Sequence, residues 1–153
     1  NNIANIDVLS RLTALEYLYM GCNKIADISA VTGLTKLKHL YVSNNNRIMD
    51  IGAVVGLTSL AELGLDGIEM VNINIVSLLG GLRELYLNNN KIVDISPVAG
   101  LTSLRYLYLG NNRIVDPAPL AGLIKLRSLN IKNNQLCRVV DVARLRKLVN
   151  LVH

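Results

Sequence analysis

The chain has 153 residues, of which 51% are hydrophobic and 18% charged, with 16 basic and 11 acidic side chains. A chain of this length suits one domain or one repeat array, and its high apolar content with a net charge of +5 excludes intrinsic disorder. No apolar stretch approaches the roughly 18 residues that a membrane span needs, so no membrane span is predicted. The aromatic residues are six tyrosines, with no tryptophan or phenylalanine, so the core must be aliphatic.

Leucines recur at a nearly constant interval along the whole chain. Successive anchoring leucines are separated by 22, 23, 22, 22, 22 and 22 residues. They are Leu18, Leu40, Leu63, Leu85, Leu107, Leu129 and Leu151. Each lies in the pattern L-x-x-L-x-L-x-x-N-x-I-x-D-I, which is unbroken from residue 82 to 95. A period of about 20 to 29 residues with this pattern indicates leucine-rich repeats. The sequence therefore predicts one array of about seven coils over residues 1–153, as a segment of a longer protein.

Every position of the repeat has a predicted role. The two leucines of L-x-L share one face of a short strand, and the residues beside them face solvent. The asparagine that follows should be buried and bond to backbone groups that the sheet does not reach. This column is Asn23, Asn45, Asn90, Asn112 and Asn134.

The aspartates that follow form a second polar column. A short carboxylate before an apolar residue can accept backbone N–H groups in a turn, and we predict such turn caps rather than a calcium site. The Gly- and Asp-rich nonapeptide of calcium-binding coils is missing. The column is Asp27, Asp50, Asp94 and Asp116.

One repeat departs from the pattern. Ile68 replaces the column asparagine, and Asn46 adds one residue to the preceding repeat. We expect this coil to lose a backbone hydrogen bond or to recruit water. Ile68→Asn should then leave stability unchanged or raise it by about 1 kcal/mol.

The two ends of the array form no recognisable cap. Neither residues 1–12 nor residues 145–153 read as a capping repeat. Because terminal coils of a solenoid need a polar cover, we expect other residues or a second molecule to cover them.

The repeats resemble a known class. Residues 27–37 (DISAVTGLTKL) and 94–104 (DISPVAGLTSL) are similar to the 22-residue leucine-rich repeats of internalins and related bacterial surface proteins. The regulatory subunits of protein phosphatase 1 have them too. The resemblance implies an α/β repeat fold, a curved leucine-rich repeat solenoid. Its parallel sheet would form the concave face and hold a partner protein, with short 3-10 or irregular segments on the convex face.

Three columns of residues face solvent: the residue just before each anchoring leucine (first column), the residue just after it (second column) and the residue three positions after it (third column). All six tyrosines fall in the first two columns. Tyrosine favours strands in any case, but outward-facing tyrosines on a rigid sheet also suit protein binding, and we favour that interpretation. The predicted partner-binding residues are Tyr17, Tyr19, His39, Tyr41, Glu62, Asp66, Glu84, Tyr86, Asn88, Tyr106, Tyr108 and Lys132.

Gly64 interrupts the tyrosines of the second column. We expect a shallow acidic notch there, with Glu62, Asp66 and Glu84 around it, that accepts a Lys or Arg of a partner. A side chain placed at residue 64 should point to solvent and leave the fold intact.

Other chemistries are less well supported. Glu62 and Glu84 should be neighbours, as in a glycosidase, but an open sheet offers no desolvated cleft. The last 49 residues carry nine basic and two acidic side chains, yet without interleaved aromatics, so nucleic-acid binding is disfavoured. Cys22 and Cys137 lie too far apart along the stack to bridge.

The sequence therefore predicts a non-enzymatic protein-recognition domain with no cofactor and no metal. Internalin-like surface adhesion is the leading version, at a bacterial cell surface or secreted. An intracellular scaffold or regulatory subunit resembling the phosphatase regulators, cytoplasmic or nuclear, is the second. A substrate-recognition segment of a larger enzyme is the third.

Overall fold

The strands form one parallel sheet in chain order. The computed structural model describes residues 1–137 and the short strand at 151–152. The sheet has seven strands: β1 Tyr17–Tyr19, β2 His39–Tyr41, β3 Glu62–Gly64, β4 Glu84–Tyr86, β5 Tyr106–Tyr108, β6 Ser128–Asn130 and β7 Leu151–Val152. The basic residues Arg138, Arg144, Arg146 and Lys147 lie outside the described residues.

Short 3-10 helices return the chain between strands. They are η1 Asp7–Arg11, η2 Ser29–Val31, η3 Gly52–Gly56, η4 Asn74–Leu78, η5 Ser96–Val98 and η6 Ala118–Gly122. Each packs against the 3-10 helix of the next coil, as each strand pairs with the next strand. The predicted leucine-rich repeat solenoid is therefore confirmed. No helix among the described residues is long and apolar enough to cross a membrane.

The core is a stack of aliphatic layers between the sheet and the 3-10 helices. The anchoring leucines pair in register across the sheet, for example Leu40 with Leu63 and Leu63 with Leu85, all three fully buried. Burying one such side chain stabilises the fold by about 1.5–3 kcal/mol. The layers rather than any long helix or strand therefore hold the chain together.

The asparagine column is the predicted backbone-bonding ladder. In a regular coil, Asn112 Nδ2 donates to the carbonyl oxygens of Leu87 and Leu109 at 2.8 and 3.0 Å, and its Oδ1 accepts the Ile92 N–H at 3.1 Å. One amide thus satisfies both its own coil and the preceding one. The same pattern holds at Asn45, Asn90 and Asn134, whereas Asn23 makes the bonds to its own coil and to the Ile3 N–H.

The aspartate column caps the turns that start the 3-10 helices. Asp27 accepts the Ser29 N–H at 2.7 Å, and Asp94 accepts both the N–H and the hydroxyl of Ser96. This bond to the residue two positions on is the geometry expected of a turn-forming carboxylate. Asp50, Asp116 and the substitute Asn72 make the equivalent backbone bond.

The extra residue and the missing asparagine compensate each other. In regular coils, the N–H two residues after the asparagine donates to the ladder amide of the next coil. In the irregular coil that amide is replaced by Ile68. The insertion of Asn46 lets the Ile48 N–H turn back onto the carbonyl of Asn45 at 3.1 Å. The Ile48 N–H, which the Ile68 side chain cannot accept, is thus bonded within its own turn.

The carbonyls near Ile68 also keep partners. Val42 O accepts from Asn45 at 2.8 Å, and Leu65 O accepts from Asn90 at 2.9 Å. In regular coils the equivalent carbonyl, such as that of Leu87, accepts from the amides of two successive coils. The irregular coil therefore loses only the second hydrogen bond at each of these two carbonyls. Ile68 itself is only 2% exposed and belongs to the core. Because the isoleucine is packed in the core and the Ile48 N–H already has a partner, we now expect Ile68→Asn to lower stability, although the repeat pattern alone suggested unchanged or higher stability.

Candidate functional site

The three predicted columns run across the solvent face of the sheet, here called the sheet face. The register pairs Tyr17 with His39 and Tyr19 with Tyr41, and this alignment continues through β6. Each described three-residue strand buries its central residue between two outward-facing positions. The structure thus places the predicted partner-binding residues together on one face.

The tyrosines of the second column form one continuous row of neighbouring rings. Tyr19 stacks on Tyr41 with ring centroids 5.0 Å apart, and Tyr86 stacks on Tyr108 at 4.8 Å. Tyr41 and Tyr86 meet at 5.6 Å in a tilted arrangement, although two strand spacings separate their backbones. We call these four residues the aromatic row.

The inner tyrosines are fixed by carboxylates of the first column. The Tyr41 hydroxyl donates to Glu62 Oε2 at 2.9 Å, and the Tyr86 hydroxyl donates to Glu84 Oε2 at 2.6 Å. Burial, and then the bond to the carboxylate, raise the pKa of both phenols. Both hydroxyls therefore remain protonated donors, and the two rings are held in place while half-buried.

His39 joins this network from the neighbouring strand. Its ring stacks on Tyr17, with centroids 4.4 Å apart and planes within 11°. Its Nδ1 lies 2.7 Å from Glu62 Oε2 but has no aligned hydrogen-bond partner. The contact is therefore a close approach that becomes an ion pair only when the imidazole is protonated.

The third column contains a separate polar chain. Asp66 Oδ1 accepts the backbone N–H of Asn88 at 2.6 Å and its side-chain amide at 2.9 Å. Asn88 Oδ1 in turn accepts the Gly110 N–H at 2.8 Å. Burial raises the pKa of Asp66, although its bonds to Asn88 and Ser43 oppose the shift. This carboxylate is therefore committed to bonds within the sheet face.

The predicted acidic notch at Gly64 is wrong. Gly64 is buried, because the rings of Tyr41 and Tyr86 lean together over it. A Cβ at this position would overlap the Tyr41 ring, so a side chain here would not simply point to solvent. Glu62 and Asp66 accept hydrogen bonds from Tyr41 and Asn88, so neither carboxylate is free to form a notch at Gly64.

Two of the predicted residues stand apart from these networks. Tyr106 lies between Glu84 and Ser128 in the first column, without a stacked ring among the described residues. Lys132 lies in the third column, beside Asn130, and its backbone N–H donates to the Asn130 side chain at 3.1 Å.

Among residues 1–137 and 151–152, no cluster of three or more His, Cys, Asp or Glu side chains could hold a metal ion.

Sequence reasoning missed a row of basic residues just before the strands. Arg83, Arg105 and Arg127 each precede the first residue of β4, β5 and β6 and are exposed. The signal was present in the 22-residue alignment.

Comparison with known proteins agrees with this architecture. Models of leucine-rich repeats match residues 81–122, 102–144 and 33–55. An internalin (inlF) from Listeria monocytogenes is 36% identical with a TM-score of 0.91 and is matched over 99% of this chain and 45% of its own length. An internalin C2 (inlC2) from the same species is 32% identical with a TM-score of 0.86, over 99% of this chain and 75% of its own.

A leucine-rich repeat protein from Leptospira interrogans is 28% identical with a TM-score of 0.80, over 96% of this chain and 38% of its own. No curated protein sequence matches the chain. The chain thus spans less than half the length of the first of these similar structures. It belongs to the leucine-rich repeat family, with repeats like those of internalins, and the fold supports protein–protein recognition in general.

Proposed function

We propose that this chain binds a partner protein through its sheet face, without catalysis, and that the aromatic row is the centre of the contact. The observation that carries the proposal is the continuity of the row: four tyrosine rings in contact across five strands. Rigid, half-exposed tyrosines contribute large contact area at little cost in side-chain entropy. Such residues dominate the energetics of protein interfaces.

The rest of the face is suited to surround such a contact. Tyr17 and Tyr19 are 53% and 64% exposed at one end, while Asn88 and Lys132 supply polar groups beside the row. Interfaces commonly combine an aromatic centre with a polar rim. Because two of the similar solved structures are internalins, we favour the surface-recognition version over a phosphatase-regulator-like scaffold.

The test compares two faces of the same coils. A partner captured on the immobilised protein is titrated against wild type, against Tyr86→Ala/Tyr108→Ala, and against Leu78→Ala/Ile124→Ala. The control pair is apolar and exposed but lies away from the strands. We expect the tyrosine pair to weaken binding by about 2 kcal/mol or more, roughly 30-fold, and the control pair to leave it unchanged. Equal or reversed losses would refute the use of the sheet face.

A further inference from the structure

The three exposed arginines Arg83, Arg105 and Arg127 are held in lateral register at the edge of the sheet face, and we call them the arginine row. The Arg105 N–H donates to Arg83 O at 2.8 Å, and the Arg127 N–H donates to Arg105 O at 2.7 Å. Adjacent members are therefore one strand spacing apart, about 4.8 Å at the backbone. Their like-charged side chains start from neighbouring positions and repel one another.

The arginine row forms no ion pair within the described part of the chain. None of its guanidinium groups forms a hydrogen bond or ion pair among residues 1–137 and 151–152. Other cations of the array do find partners: Lys38 pairs with Glu16 and Lys91 with Glu69, each at 2.8 Å. The contrast singles out the arginine row as a surface with unused donors.

The nearest acids are already engaged. Glu62 and Glu84 lie one residue further along β3 and β4, but each accepts a tyrosine hydroxyl of the aromatic row. Ala61 occupies the equivalent position in the preceding coil. It leaves a groove of about 580 Å³ beside Arg83 and Arg105, with Lys38 on its other side. Glu62 and Glu84 also line this groove, on the side of the aromatic row, so the arginine row forms its basic edge.

We propose that the arginine row and this groove receive an acidic segment of the partner protein, which crosses β3 to β6 at their amino-terminal ends. This inference rests on the proposed function and names the chemistry of the partner. Planar guanidinium groups bind carboxylates in a bidentate manner, and the fixed spacing of the row favours several carboxylates in succession. Charge complementarity of this kind sets specificity and association rate.

A protein segment fits this surface better than a nucleic acid. Glu62 and Glu84 border the row on the side of the aromatic row, and a continuous phosphate backbone would be repelled by them. An acidic peptide can place carboxylates on the arginines and uncharged side chains over the tyrosines. The arginine row and the aromatic row would then form one composite surface.

The test uses a fluorescein-labelled ten-residue peptide of alternating glutamate and serine as the probe, because Glu62 and Glu84 would repel a continuous run of carboxylates as they would a phosphate backbone. Its anisotropy is measured with wild type, with Arg83→Glu/Arg105→Glu, and with the control Arg47→Glu/Arg113→Glu. The control makes the same change of net charge at two exposed arginines beyond the carboxyl-terminal ends of the strands. We expect the row variant to weaken peptide binding at least 10-fold more than the control does, with the difference shrinking at high salt.

Three results would overturn the inference. The first is no binding of the peptide at low salt, and the second is equal losses in the row variant and the control, which would show only a net-charge effect. The third is tighter binding of a ten-nucleotide single-stranded RNA that the row variant abolishes. If the row variants bind a captured partner normally while Tyr86→Ala/Tyr108→Ala does not, this inference fails and the proposed function stands.

The unliganded protein offers an independent readout. Because the arginines repel one another without a partner, Arg105→Gln should raise the melting temperature at low ionic strength by a few degrees. Arg113→Gln should not, because its basic neighbour in the preceding coil, Lys91, is already paired with Glu69. A fall in melting temperature for Arg105→Gln would show that the residue has a structural partner and would contradict the proposed role.

Discussion

At the scale of single residues, Gly64 shows how one missing side chain shapes the candidate binding surface. Without a Cβ at this position, Tyr41 can lean across β3 and meet Tyr86, which closes the gap in the column. A glycine is therefore required here by close approach of a ring rather than by backbone conformation, since its φ is not positive. The aromatic row depends on this glycine.

Gly64→Ala tests that dependence. The methyl group should displace the Tyr41 ring, weaken its bond to Glu62, and lower the free energy of unfolding by about 1–2 kcal/mol. Urea unfolding and near-ultraviolet circular dichroism of the tyrosines measure the two effects. Gly100→Ala is the control, because a Cβ there meets nothing within 4 Å. An unchanged tyrosine spectrum in Gly64→Ala would contradict the close packing.

The raised pKa of Asp66 predicts an unusual dependence of folding stability on pH. Burial raises its folded-state pKa above the ordinary value of 3.8, so the folded state holds a proton that the unfolded state releases. Between these two pKa values, its contribution to stability falls as pH rises, and the full cost is present above the folded pKa. Asp66→Asn should therefore stabilise the protein at pH 7, by less than about 1 kcal/mol because the carboxylate is still partly solvated.

The stabilisation by Asp66→Asn should shrink as the pH falls from 7 towards 3. Urea unfolding of the variant and of the wild type at pH 7 and at pH 3 measures this change. Asp27→Asn is the matched control with the opposite sign. The Ser29 backbone N–H lowers the pKa of Asp27, so this change should lose stability at neutral pH and lose less in acid. Identical pH trends for the two variants would contradict the assigned causes.

At the scale of the structural element, the irregular coil is a matched pair of changes. The inserted Asn46 supplies a turn for the Ile48 N–H, and Ile68 fills the place of the amide that would otherwise have accepted it. Either change alone should leave a buried polar group without a partner, which commonly costs about 1–3 kcal/mol. Together they are compatible with a well-packed coil.

A double-mutant cycle measures this coupling. Deletion of Asn46 alone should destabilise the protein by about 1–3 kcal/mol, and Ile68→Asn alone by about 2–4 kcal/mol, since it also removes apolar packing. The combined variant restores a regular 22-residue repeat. Its loss of stability should be at least about 1 kcal/mol smaller than the sum of the two single losses. Additive losses in denaturant unfolding would show that the two irregularities are independent.

Strands, register and ladders could be predicted from the sequence because each follows from a fixed spacing of leucine, asparagine and aspartate. The direction in which the Tyr41 ring leans could not, because side-chain rotamers depend on the space left by neighbouring strands. The backbone of the turn after each strand was also missed. The residue before each ladder asparagine, and the residue before Ile68, have positive φ, a conformation that asparagine and glycine tolerate well. These residues are Cys22, Asn44, Gly67, Asn89, Asn111 and Asn133.

At the scale of the whole molecule, the described solenoid has an exposed first coil. Ile3, Val8 and Leu12 are 49%, 72% and 47% exposed, although terminal coils of repeat arrays are normally covered by polar surface. The expectation that other residues or a second molecule cover the ends remains a prediction. A polar capping helix fused before residue 1 should raise the melting temperature and reduce self-association in sedimentation experiments. A stable, strictly monomeric 1–153 chain that gains nothing from the cap would contradict it.

Use of the sheet face by a partner can be measured most directly by site-specific photo-crosslinking. A benzophenone amino acid replaces Tyr106 on the sheet face in one protein and Ile124, which is 83% exposed and lies just after η6, in another. Both proteins are irradiated with the same captured partner. If the sheet face is the recognition surface, the partner should be crosslinked from position 106 and not from position 124. Crosslinks from position 124 alone would contradict the proposed function.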